Sequence, residues 1–96
     1  MRMMMRVQIP VESGNAAVAG GKLEGIVQKA METLKPEAAY FLADDGLRTA
    51  LFFFDLADSS QIPLAAEPFF QGANANVGFR PVMTPEDLRK GLSQLA

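Results

Sequence analysis

Two arginines and two side-chain amides are the residues of this chain best suited to holding a small anion. Arg6 and Gln8 share one parity of an alternating stretch near the start, and Asn76 and Arg80 share one parity of another near the end. If those stretches are neighbouring strands, the four side chains meet on one sheet face. A guanidinium offers a planar fork of donors that matches a carboxylate, and the amides add donors and acceptors around it. Arg6, Gln8, Asn76 and Arg80 are therefore the expected ligand-binding set. The plain alternative is that they solvate an ordinary half-exposed strand.

Three further residues could move a proton. Tyr40 is the only phenol, Asp55 follows an aromatic run at a strand end, and Glu67 stands beside Pro68 and the pair Phe69-Phe70, where partial burial would raise its pKa. Each has a bland counterpart: a ring at the core edge, a residue leaving a strand, a surface carboxylate. The absence of His, Cys and Trp excludes disulfides, a thiol nucleophile and a thiolate metal site. Asp44-Asp45 sits where a hairpin needs its turn and lacks a third ligand nearby, so no metal site is expected. Gly21-Lys22 is not a phosphate loop, because Ala16 stands where that motif needs glycine and Leu23 where it needs Ser or Thr. No cofactor is expected.

The elements that must position these residues follow from hydrophobic period and turn chemistry. Met3, Met5, Val7, Ile9 and Val11 alternate with Arg6 and Gln8, which predicts a half-buried first strand ending around Pro10. After Ser13-Gly14-Asn15, the positions Leu23, Ile26, Val27, Ala30 and Leu34 take helical spacing up to Lys35-Pro36. Asn15 could cap an early start of that helix, while Gly20-Gly21 would weaken its opening turns. Ala39, Phe41 and Ala43 against Tyr40 and Leu42 predict a second strand, and Asp44-Asp45-Gly46 a tight hairpin into a third, Leu47 to Leu56. Within the third, Ala50-Leu51-Phe52-Phe53-Phe54 is apolar on both parities, the mark of a central strand covered above and below.

Asp58-Ser59-Ser60 precedes a second helix with Ile62, Ala65, Ala66 and Phe69 on one face, which Pro68 should end or kink. Gln71-Gly72 breaks that pattern, and Ala75, Val77 and Phe79 alternate in a fourth strand ending near Pro81. Thr84-Pro85-Glu86-Asp87 has the cap, the first-turn proline and the acids of a helix entrance, with Leu88, Leu92 and Leu95 as its expected buried stripe.

Ninety-six residues make one domain, 1–96. A net charge of -2 argues against a basic footprint for nucleic acid or an anionic membrane. No apolar run approaches the roughly 18 residues of a membrane span, and the start lacks the apolar core of a signal peptide, so a cytoplasmic protein is expected.

The order strand, helix, hairpin, helix, strand, helix predicts an α+β fold: a ferredoxin-like βαββαβ antiparallel sheet with an added C-terminal helix. In this order the chain resembles the dimeric α+β-barrel superfamily. Ala66-Glu67-Pro68-Phe69-Phe70 and Arg80-Pro81-Val82-Met83-Thr84-Pro85-Glu86-Asp87-Leu88 are similar to segments of small uncharacterised bacterial proteins of this kind. The resemblance implies a homodimer joined through the sheet face and a small molecule bound between sheet and helices. It attaches no activity, since the histidine several of those enzymes use is absent.

The expected function is a small homodimer that binds a small organic ligand, an anion included. The alternative is a cofactor-independent isomerase or monooxygenase-like enzyme using Tyr40, Asp55 or Glu67, and a remote third is an RNA-binding module. Whether the protein is an enzyme is left open by its residues.

Overall fold

Met3, Met5, Val7 and Ile9 alternate with Met4, Arg6 and Gln8, and that alternation sets β1 (Arg2–Ile9) in the middle of a four-stranded sheet in the computed structural model, which describes residues 1–95. The fold is α+β: an open antiparallel sheet of order β2-β3-β1-β4, with β2 at Ala38–Asp44, β3 at Leu47–Asp55 and β4 at Asn76–Pro81. Both β1 and β3 are central. The register Met5↔Phe52, Val7↔Ala50 and Val7↔Val77 puts these residues on one face, against the helices, where Met5, Val7 and Phe52 are fully buried. The other face carries Met4, Arg6, Gln8, Leu51 and Phe53, and no helix covers it.

The hairpin forms as its residues require. Asp44 pairs with Leu47, and Asp45 and Gly46 both take positive φ, at 53° and 74°, the backbone of a two-residue turn that matches strand twist.

The helices depart from expectation in four places. First, the strand ends before Pro10 as expected, but a helix follows at once: Pro10, extended at φ -55° and ψ 144°, opens α1 (Val11–Ala19), and Ser13, Gly14 and Asn15 lie inside that helix instead of in a turn. Proline suits a helix start because it has no N–H to satisfy there. Second, Gly20-Gly21 divides two helices, Gly21 taking the left-handed φ of 74° ahead of α2 (Lys22–Leu34). Third, α3 (Ile62–Ala73), entered through a 3₁₀ turn at Ser59–Gln61, runs five residues past Pro68 and through Gln71-Gly72. A proline inside a helix forgoes one hydrogen bond, but Ala65, Ala66, Phe69 and Ala73 are all buried, and their packing holds the helix together. Asn74, left-handed at φ 51°, ends it.

The fourth departure concerns α4 (Pro85–Leu92). Its entrance is a full capping box, Thr84 Oγ1 accepting from Asp87 N and Asp87 Oδ2 from Thr84 N, both at 3.1 Å. Its leucines, however, are not buried: Leu88, Leu92 and Leu95 are 47%, 57% and 76% exposed. The helix stands clear of the sheet, with Arg2 Nη1 and Asp87 at 4.0 Å as a contact to the body. This projection accounts for a radius of gyration of 15.1 Å, against about 13 Å for a compact chain of this size. The leucine stripe is amphipathic as expected, but among the described residues it stays largely uncovered. No helix is long and apolar enough to cross a membrane, among the described residues.

Two predictions follow from helix geometry. A Cβ on Gly25 would meet open space, whereas one on Gly72 would collide with Ile26, where α3 lies close on α2. Gly25→Ala should stabilise by about 0.5–1 kcal/mol through helix propensity alone. Gly72→Ala should lose about 1 kcal/mol net, overpacking outweighing the same propensity gain; urea denaturation measures both.

The second is a pH dependence. Hydrogen bonds from the backbone and then the side chain of Thr84 hold the Asp87 carboxyl below its ordinary range. Because the folded value is depressed, its contribution to α4 is complete above the unfolded carboxylate pKa, about 3.9, and is lost as pH falls through the lower folded value. Amide protection factors across Leu88–Leu92, corrected for the intrinsic pH dependence of exchange, should therefore fall in that acid window, and Thr84→Ala should lower them at neutral pH as well.

Candidate functional site

The sheet brings the four expected ligand residues to one face. Gln8 pairs with Asn76, Arg6 with Gly78 and Met4 with Arg80, so the four share a face, and Arg6, Asn76 and Arg80, though not Gln8, line a shallow concavity of about 340 Å³ along β4. Arg6 is already engaged there: its Nη2 donates to Asp44 Oδ2 at 2.7 Å, and Gln8 Nε2 reaches the Asp44 carbonyl at 3.5 Å. Asn76 and Arg80 are exposed at the β4 edge. The concavity is open, and one of its two cations is neutralised.

The three acid–base candidates do not converge. Tyr40 lies on the helix-free face of β2, 62% exposed, its ring edge-on to Phe53 at 6.4 Å. This departs from a core-edge ring, because β2 is the sheet's outer strand and no layer covers that face. Asp55 accepts from the Met1 amino group at 2.8 Å at the end of β3. Glu67 faces solvent from α3 and accepts from Gln71 Nε2 at 3.0 Å. They belong to three separate surfaces.

A roomier apolar concavity is on the opposite side, between α2 and the β2–β3 hairpin. Phe41 belongs to the helix-facing parity of β2, opposite Ala50, and its ring meets buried Phe52 edge-on at 5.9 Å. Yet Phe41 is 57% exposed, because α2 does not close down onto this strand. The gap is a cleft of about 420 Å³ walled by Ile9, Leu23, Val27, Phe41, Ala50 and Phe69. Val18, Gly21 and Glu24 continue it outward along the α1–α2 junction.

One charged side chain lines the cleft itself, with Glu24 further out at the α1–α2 junction, and sequence reasoning missed it. Arg48 shares parity with Ala50, Phe52 and Phe54 on β3, so its stem runs on the helix side of the sheet. It is half-buried, and its Nη2 donates to Asn15 Oδ1 of α1 at 3.1 Å. A Cβ on Gly14 would come within 2.7 Å of Arg48 Nη1, so the glycine gives the guanidinium room against α1. The available signal was a lone cation on the buried parity of an otherwise apolar strand.

Chemically, the cleft offers apolar walls, an aromatic face and a cationic rim. That combination suits holding an organic molecule and lacks a general acid or base among its walls. No protein-family model, curated protein or solved structure matches the chain.

Proposed function

We propose that this protein is a homodimeric binding protein for a small organic molecule, with the α2/β2–β3 cleft as its ligand site. The observation that carries the reading is Phe41, a ring on the helix-facing side of the sheet left more than half exposed above a cleft of about 420 Å³. Small-molecule sites typically have such mostly apolar walls and volumes of roughly 300–1,000 Å³. The dispersal of Tyr40, Asp55 and Glu67 over three surfaces favours binding over proton-transfer catalysis.

The strand order supports a ferredoxin-like βαββαβ reading. With neighbours all antiparallel, β1 runs parallel to β2 across β3, and β3 runs parallel to β4 across β1, the arrangement of two interlocked split βαβ units. A second copy on the helix-free face is the partner this architecture favours. That face has Met4, Leu51 and Phe53 half-buried on its central strands beside exposed Tyr40 and Leu42, with the Arg2–Glu37 pair at one end and Arg6, opposite Leu51, reaching across to Asp44. Apolar side chains interspersed with a few ion pairs are compatible with the mixed character of a protein interface. The exposed leucines of α4 would add to the area such a pair buries.

Two outcomes are expected. A cleft ligand at 100 times its dissociation constant should stabilise the native state by about 2.7 kcal/mol, a Tm rise of about 10–20 °C for a domain this small. Val27→Trp, filling the cleft, should abolish that rise. A broad panel of organic acids, alcohols and aromatic metabolites without any shift would sink the binding reading.

For assembly, Phe53→Glu should halve the sedimentation mass, from twice 10.4 kDa to 10.4 kDa, while leaving the fold intact, since its side chain is on the helix-free face. Wild-type protein sedimenting as a monomer at high micromolar concentration would refute the dimer.

A further inference from the structure

We infer that the cleft ligand is an amphipathic monocarboxylate whose anionic end is held by Arg48; the inference rests on the cleft being the ligand site. The chain's five arginines divide by partner. Arg2 is paired with Glu37, Arg6 with Asp44 and Arg89 with Glu86. Arg80 is exposed on the edge strand, where water solvates it. Arg48 alone is half-buried with no carboxylate partner among the described residues.

Its one side-chain partner, Asn15 Oδ1, is neutral and occupies a single donor. A guanidinium has five N–H donors in a rigid fork, so most of Arg48's donors have no protein acceptor among the described residues. A cation drawn partly out of water costs stability unless an anion answers it, and the planar fork is answered best by a bidentate carboxylate.

Position then defines the rest of the ligand. Arg48 lines the same cleft as Ile9, Leu23, Val27, Phe41 and Phe69, which present aliphatic and aromatic surface and no second cation. One positive charge at the edge of an apolar cavity matches one negative charge on an apolar body. A dicarboxylate or a phosphate dianion would bring charge that the walls cannot answer. Asn15 steadies the guanidinium from one side, and Gly14 lets it lie against α1.

The test compares acids with their neutral counterparts on the intact chain: 3-phenylpropionate against 3-phenylpropanol, and octanoate against octanol, titrated by ¹⁵N-resolved NMR. Each acid should shift the Leu23, Val27 and Phe41 amides and the Arg48 Nε–H signal, and bind at least ten-fold more tightly than its alcohol. Arg48→Gln should erase that preference while leaving alcohol affinity within two-fold. Asn15→Asp places a carboxylate beside the guanidinium without changing side-chain size, and should weaken acid binding several-fold with the alcohols unaffected. This second variant keeps the test intact if Arg48→Gln fails to fold.

Equal affinity for acid and alcohol, or an acid preference that survives both substitutions, would overturn the carboxylate assignment and leave the cleft as a neutral-ligand site. If none of the four probes perturbs the cleft amides, the ligand site itself falls, and the carboxylate assignment with it.

Discussion

The packing of Phe52 is the contact on which the rest of the molecule depends. Its ring, fully buried, meets Phe41 of β2 edge-on at 5.9 Å and Phe69 of α3 at 5.8 Å and 45°. One side chain thus ties the outer strand, the central strand and the helix layer together. Aromatic pairs of this kind add about 0.5–1.5 kcal/mol each beyond the area they bury, and removing a buried Phe costs about 3–5 kcal/mol. Set against a total stability of about 5–15 kcal/mol, this row is a large share of what keeps helices on the sheet. It also shapes the cleft: Phe52 holds Phe41 by one edge and leaves its outer side uncovered.

From that row the two sheet faces acquire opposite characters. On the helix side, Met5, Val7, Phe52 and Phe69 exclude water, and the space left where α2 fails to meet β2 is a concavity with rigid walls. On the other side no helix layer is present among the described residues, and Met4, Leu51 and Phe53 share the face with the partly solvated Arg2–Glu37 and Arg6–Asp44 pairs. Such exposed pairs contribute roughly 0–1 kcal/mol to stability, so orientation and specificity are a better account of their placement than strength. The walled cleft encloses more apolar surface than the shallow concavity on the helix-free face, where Arg6 is already paired with Asp44, which is why the expected ligand quartet is the weaker candidate site.

Much of the fold was legible because its signals are local. Asp45-Gly46 needed two positive φ angles, Thr84 and Asp87 needed only each other, and the alternation of Met3 through Ile9 needed only a sheet with one apolar layer. The errors arose where the deciding partner is remote. Val11 has the right parity for a strand, but Pro10 starts a helix whose Gly14 and Ala17 bury against the body. Pro68 and Gly72 look like breakers in isolation, and only the burial of Phe69 and Ala73 shows why the helix continues through them. The leucines of α4 specify a face without specifying what lies opposite it. For the candidate site, parity gathered Arg6, Gln8, Asn76 and Arg80 correctly onto one face, but it could not show that Asp44 reaches across to Arg6.

Arg48 is the clearest case of a local rule broken for a structural reason. Its neighbours on the same parity, Ala50, Phe52 and Phe54, are all buried and apolar, and a hydrophobic residue there would close the edge of the layer without desolvating a charge. Local inconsistency of this sort concentrates at functional sites, because elsewhere nothing offsets its cost. Gly14, in the interior of α1, gives up about 1 kcal/mol relative to alanine at a point where a Cβ would press on both Ile9 and the tip of Arg48. A cation, the helix residue that makes room for it and an amide that orients it are three choices pointing to one place. That place opens onto Phe41, which is exposed where Phe52, Phe54 and Phe79 on the same side of the sheet are buried or half-buried.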